Sequence, residues 1–504
     1  MIVKRVFSVF LALALVFGAT VSVAAVNGCS CGHTPVIYVS ALGSATLYLD
    51  ADTPDERVIF RPETEDILKL VGKLALPAAR LALDKDYGAF GKSLTTTATE
   101  MFGPLAMDEN GDSDPRVTTK ITLPADPEHS PGRDYYFAYD FRADPLVTAE
   151  KLNEFVEHIK TLTGHNKVSF RASSMGGVIV MAYLEKYGTR DLEAIIFQCC
   201  PILGVALAGD LFNKKIKLDA DALVRYGTQV LPKDAAGSVL NFLIQSLDML
   251  GVFDAVLGVG GKLLDELKDD LYDDLLIPVF GRMPGLWAMV PREGYEEAKE
   301  LFLSEGASQT LIERLDYYHY NVLCKADEIL NDTLNSGVGI MIIAGYNLQR
   351  EPFVESILNN SDAVDDTIYN APGVICAPLG ETLGEDYVQA IDDGHNHLSP
   401  DGVIDASTCY LPENTWFIKD MIHSNPNDGH RELYNLFFER KGDFDIRSDS
   451  RFPQFLQDDS ANNRIVPLAE YEPGEPLVID NLFAALLTIF STVKNIILTV
   501  LFAL

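Results

Sequence analysis

Hydrophobic positions along this chain switch between two periods. Four short apolar runs have the length and the β-branched or aromatic content of buried strands: TPVIYV (34–39), YYFAYDFR (135–142), NKVSFRA (166–172) and LEAIIFQCCP (192–201). Two helical stretches separate the later ones. TAEKLNEFVEHIKTLTG (148–164) carries Leu152, Phe155, Val156 and Ile159 at helical spacing, with Gly164 at its end. GVIVMAYLEKYG (177–188) is the second. Strand, helix, strand, helix, strand in close succession predicts the α/β class, a parallel sheet with right-handed crossovers.

The alternation stops at about Leu203. From there to Asn335 the chain is Leu-rich and helical, interrupted by glycines, which predicts an inserted, mainly helical cap over 203–335. Strand character returns in GVGIMIIAGYN (337–347). The α/β core is therefore expected in two parts, 33–202 and 336–470, followed by a linker and a hydrophobic helix over 471–504. No internal repeat or low-complexity tract interrupts this order.

Candidate chemistry gathers where NKVSFRA ends, in FRASSMGGVIV (170–180). A serine hydroxyl becomes a nucleophile when a base takes its proton and backbone N–H groups can hold an oxyanion. A sharp strand-to-helix turn presents it in that way and needs small residues two positions to either side. Gly176 and Ala172 flank Ser174 so, whereas Ser173 has Met175 two residues on. Ser174 is the candidate nucleophile, with the Met175 N–H in the oxyanion hole. The loop in PVIYVSALGS offers the Leu42 N–H as second donor. An acid and then a histidine are expected after late strands. Asp401 in SPDGVID and His423 in DMIHSN satisfy that order.

YDFR, SSMGG, RMPGLWAMVP, PDGVID and IHSN also stand in the order found in relatives of lecithin:cholesterol acyltransferase. The chain resembles that family from about Pro35 to Asn427. The resemblance implies an α/β-hydrolase core with a lid and a Ser–Asp–His triad acting on lipid esters. By motif match the triad falls on Ser174, Asp401 and His423. The chain departs from the pattern at Ser173, where the family has His, at Ala172 for Gly, at Phe141 for Trp, and at Ser40-Ala41 in the oxyanion loop.

The expected activity is ester hydrolysis on lipid-like substrates through an acyl-serine, without cofactor or metal. Acyl transfer to an alcohol is the alternative among enzymes. A catalytically silent envelope binding protein with the same fold is the alternative outside them. Other residues have competing readings. His430 is a rival base but reads as a surface histidine at a helix start, and Asp405 is a rival acid. Asp392, Asp393, His395 and His397 in DDGHNH offer metal ligands or, more simply, hydrogen-bonded turns. Trp287 and Pro291 read as cap packing, and DELKDDLYDD as a solvated helix face.

Charge and the two ends complete the picture. A formal charge of −33 over 504 residues, with no basic cluster, excludes nucleic acid and electrostatic attachment to anionic lipid. Residues 1–25 read as a signal peptide, two cations before an apolar run ending in small residues, so export to the envelope or medium is expected. Cys29 in VNGC is a lipidation alternative. The seven cysteines include the neighbours Cys199 and Cys200, which read as buried small hydrophobes. NLFAALLTIFSTVKNIILTVLFAL (481–504) is long enough to span a bilayer and has a polar stripe, so membrane association through this helix is expected.

Overall fold

The computed structural model describes residues 31–60, 86–130, 132–217, 219–229, 267–304, 306–350, 354–423 and 426–472, with a few isolated positions besides. Its centre is an eight-stranded sheet. In chain order the strands are β1 (Val36–Val39), β5 (Tyr135–Phe137), β6 (Val168–Ser173), β7 (Leu192–Gln198), β8 (Gly339–Tyr346), β11 (Thr415–Lys419), β12 (Phe455–Asp459) and β13 (Arg464–Pro467). Across the sheet they run β13-β12-β11-β8-β7-β6-β1-β5. All neighbours are parallel except β12 and β13. The protein is therefore of the α/β class. The remaining strands form two small antiparallel sheets: β2 (Leu47–Leu49) between β3 (Arg57–Val58) and β4 (Val117–Thr119), and β9 (Ile375–Cys376) with β10 (Ile404–Asp405).

Burial on both faces explains the unbroken apolar runs. All eight residues of β8 are buried. Ile195 and Phe197 of β7 point into a core that also holds residues of α2 (Pro145–Thr163) and α3 (Gly176–Tyr187). Ala194 and Ile196 point the other way, against Leu433, Tyr434 and Phe437 of α4 (Asp428–Glu439). The helix α1 (Tyr87–Phe102) precedes β4. The helix expected over 148–164 forms and starts slightly earlier. Asp144 caps it, its carboxylate taking the Leu146 N–H at 2.8 Å, and Gly164 ends it at φ 72°.

Between β7 and β8 the described residues contain helices and no strand. Trp287 sits in a buried aromatic cluster with Phe212, Tyr295 and Phe302, and its Nε1–H donates to the Gly281 carbonyl at 2.8 Å. It packs the helices between β7 and β8 against one another. Asp269, Asp270, Asp273 and Asp274 are exposed beside buried Leu271, Tyr272 and Leu275, which makes the acidic run a solvated face. The segment between β7 and β8 locks onto the YDFR loop. Gly285 N–H donates to the Arg142 carbonyl at 3.1 Å, and buried Arg142 forks onto Asp140 at 3.0 and 2.7 Å.

The expectation of membrane attachment is corrected. Residues 481–504 lie outside the described residues, as do the expected signal peptide and Cys29. Among the described residues no helix is long and apolar enough to cross a membrane. The apolar helices that are described spend their hydrophobic faces on the core, so the membrane-associating helix has no support.

Candidate active site

Parallel strands place the turns that follow them at one edge of the sheet, and three of those turns hold the candidate residues. The first follows β6. Ser173, its last residue, is wholly buried, while Ser174 is only partly so and sits at φ 53°. This left-handed conformation costs a non-glycine residue about 1–2 kcal/mol, so its surroundings must hold it there. Ser174 N–H donates to the Gln198 carbonyl at 3.1 Å, and the Ser174 carbonyl accepts the Gly177 N–H at 2.9 Å. Gly176 is required by space, since a Cβ there would stand 2.1 Å from the Val39 carbonyl oxygen. Ala172 is absorbed into the core, so its extra methyl obstructs nothing.

The loop after β1 runs beside this elbow. Ser40 Oγ–H donates to the Phe137 carbonyl at 2.6 Å, and the Ser40 carbonyl accepts the Tyr139 hydroxyl at 2.9 Å. Leu42 lies in this loop. Among the described residues, no backbone carbonyl takes the N–H of Leu42 or of Met175. These are the two groups expected to line an oxyanion hole.

The third turn follows β11. Asp420, at φ 59°, donates its N–H to the Tyr346 carbonyl and turns the chain back over β8. Met421 then lies over Gly345, where a Cβ would stand 2.9 Å from the Met421 carbonyl oxygen and 2.6 Å from Asp362 Cβ. His423 comes next. Its Nδ1 is 2.8 Å from Asp362 Oδ2, and its backbone N–H donates to the Asp362 carbonyl at 2.9 Å. Asp362 belongs to the second turn, the loop after β8, and is fully buried. Its Oδ1 accepts the N–H groups of Val364 and Asp365 at 3.0 and 2.7 Å. Asp365 Oδ2 stands 3.9 Å from His423 Nδ1. The loop is anchored further by the buried pair Arg350 and Asp366, 3.5 Å apart, with Asp366 also taking the Ala206 N–H from the inserted segment.

Cys199, directly after β7, completes the ring. Its Sγ, the Asp362 carboxylate and a His423 ring nitrogen lie within 4.8 Å of one another. Burial, reinforced by the Asp362 charge, pushes the Cys199 thiol far above its ordinary pKa. It stays protonated as a donor and is no rival nucleophile. Ser174 is bonded to Gln198, the residue before Cys199, so the elbow and the Asp362–His423 pair occupy one stretch of sheet edge.

The structure does not bring Asp401 to His423. Asp401 Oδ2 instead takes the Lys419 ammonium at 2.8 Å and the Tyr346 hydroxyl at 3.0 Å, while Oδ1 takes the Ser399 hydroxyl at 2.7 Å. Burial alone would raise its pKa, but Lys419 and Ser399 hold it below the usual carboxylate value. The sequence reading overlooked Asp362. The signal for it in the sequence is its place after the strand run GVGIMIIAGYN, where an acid following a late strand would fall. Asp405 instead takes the Tyr387 hydroxyl and the Ala390 N–H.

His430 stands at the start of α4, as read, but it is buried rather than exposed. Its Nδ1 accepts the Asn427 N–H at 3.1 Å in a capping box, and burial holds its pKa down at about 3. In DDGHNH, Asp393, His395 and His397 meet Glu413. Arg447 already serves that cluster, 2.7 Å from Glu413 Oε2 and 2.9 Å from His395 Nε2. A cavity of about 530 Å³ opens elsewhere, lined by Tyr48, Lys120, Arg133 and Tyr136 and not by Ser174.

Compared with known proteins, the sequence matches no family model and no curated protein. Among solved structures, a chain described as the crystal structure of the Tle4–Tli4 complex aligns at 11% identity over 81% of this chain and 98% of that one, with a TM-score of 0.28. A likeness that low carries no argument about fold or function.

Proposed function

We propose that this chain is a serine ester hydrolase built on an α/β-hydrolase arrangement, in which Ser174, His423 and Asp362 act together on lipid-like esters. One observation carries the reading. A serine held at φ 53° on a strand-to-helix turn shares a sheet edge with a histidine hydrogen-bonded to a fully buried carboxylate. The strand order supports it too, with the nucleophile, acid and base following β6, β8 and β11 of one parallel sheet.

In this reading Asp362 holds the Nδ1–H tautomer of His423 and stabilises the imidazolium. His423 Nε2 takes the Ser174 proton as the hydroxyl oxygen attacks the ester carbonyl. The N–H groups of Leu42 and Met175 receive the developing oxyanion. His423 then returns the proton to the leaving alcohol, and water attacks the acyl-serine to release the acid. In this reading the Leu-rich sequence between β7 and β8 favours acyl chains over short polar acids.

Product analysis with a medium-chain phospholipid and an added alcohol tests this. Free fatty acid as the main product, lost in Ser174→Ala, is expected. Predominantly acylated alcohol would replace hydrolysis by transfer. Absence of turnover on a panel of short- and medium-chain esters would favour a silent binding protein.

A further inference from the structure

A second cluster lies at the opposite edge of the sheet. Cys31 precedes β1, His129 precedes β5 and His165 lies between α2 and β6, and these three strands are adjacent. Cys31 Sγ is 3.4 Å from His129 Nε2 and 3.5 Å from His165 Nε2, and the two Nε2 atoms are 3.1 Å apart. The rings stand nearly perpendicular, at 84°. Three ligand atoms from distant parts of the chain thus converge on one point.

The spacing matches a tetrahedral metal centre. With Zn–N near 2.0–2.1 Å and Zn–S near 2.3 Å, tetrahedral angles place two nitrogens about 3.4 Å apart and a nitrogen and sulfur about 3.6 Å apart. The tautomer points the same way. His129 Nδ1 lies 2.9 Å from the Pro127 carbonyl, and with the ring proton placed there Nε2 would present its lone pair. That lone pair faces His165 Nε2, the Cys31 sulfur and, at 3.1 Å, the His33 carbonyl oxygen. Four electron-rich atoms around one point are stabilised by a cation.

We propose that Cys31, His129 and His165 bind a zinc ion, with water or the His33 carbonyl in the fourth position. A thiolate with two imidazoles is a set of the softness zinc takes. On binding, Cys31 gives up its thiol proton to solvent, so one metal is bound and one proton released. The site fastens the segment entering β1 to the turns before β5 and β6, at the sheet edge away from Ser174. Its role is structural.

The test is to strip the full chain with a chelator and titrate it with Co²⁺, which reports thiolate ligation by a sulfur-to-metal charge-transfer band. The expected result is one equivalent with that band, displaced by Zn²⁺, and lost in Cys31→Ser and His165→Ala but retained in His395→Ala. The retained band separates this site from the Asp393, His395, His397 and Glu413 cluster, which has no sulfur. A measurement free of variants accompanies it. Zn²⁺ should slow alkylation of Cys31 at least tenfold, read by mass spectrometry. Absence of the thiolate band, its persistence in folded Cys31→Ser, or equal alkylation with and without Zn²⁺ would overturn the proposal.

Discussion

Asp362 Oδ2 stands 2.8 Å from His423 Nδ1, and the backbone of the same aspartate takes the histidine's own N–H at 2.9 Å. Side chain and main chain together fix the ring against a carboxylate that has no exposure to water. Replacing that carboxylate by an amide removes the acceptor that selects the Nδ1–H tautomer. Asp362→Asn is expected to lower kcat on a short acyl ester by about 10³- to 10⁴-fold. Asp401→Asn, which disturbs only the contacts to Lys419, Tyr346 and Ser399, should stay within about tenfold of the parent. The reverse ranking would return the acid to Asp401.

Gly345 supplies a more local test of the same geometry. It lies in β8 beneath both the Asp362 loop and the His423 loop, where a Cβ would be 2.6 Å from Asp362 Cβ and 2.9 Å from the Met421 carbonyl. Backbone and a fixed Cβ cannot swing aside, so Gly345→Ala must push the two loops apart. Expected is a stability loss of about 1–3 kcal/mol by urea unfolding. A displacement near 1 Å should also lower kcat by about 10²-fold. Parental kcat in this variant would show that the two loops do not act as one site.

Much of this framework was legible in the sequence, for identifiable reasons. β1, β6, β7 and β8 are buried on both faces and read as unbroken apolar runs, and α2 carries both its periodicity and its terminal Gly164. Ser174 was legible because Gly176 cannot be anything larger. Asp362 was not, because what makes it the histidine's partner is the path of the chain after Asp420, which doubles back over β8. Asp401, in the PDGVID stretch that carries part of the family resemblance, was conspicuous in sequence, but Lys419 and Tyr346 claim it in space. The burial of His430 was equally hidden, since a capping-box histidine looks the same in sequence whether its helix end is covered or open.

His430 makes acid stability predictable. Burial holds its folded pKa at about 3, against an ordinary value of 6.5. Between those values the unfolded chain binds a proton that the folded chain refuses, so stability is full above pH 6.5 and falls as pH drops through the window. The slope from this group reaches about 1.4 kcal/mol per pH unit. His319, lowered to about 4 mainly by burial, adds in the same direction. His430→Gln keeps an N3 acceptor for the capping box and removes the titration. Urea midpoints at pH 5 and pH 7 should differ less in His430→Gln than in the parent. Equal differences would mean that His430 takes up its proton in the folded state.

The most direct measurement of the central claim is where a fluorophosphonate probe attaches, mapped by mass spectrometry on the purified chain. Only a serine with an activated oxygen reacts readily, and Ser173 and Ser174 are adjacent, so the mapping separates chemistry from mere proximity. The account predicts label on Ser174, its loss in Ser174→Ala, its retention in Ser173→Ala, and labelling at least tenfold slower in Asp362→Asn. A parent chain that takes no label, or one that labels equally well without the Ser174 hydroxyl, would contradict it.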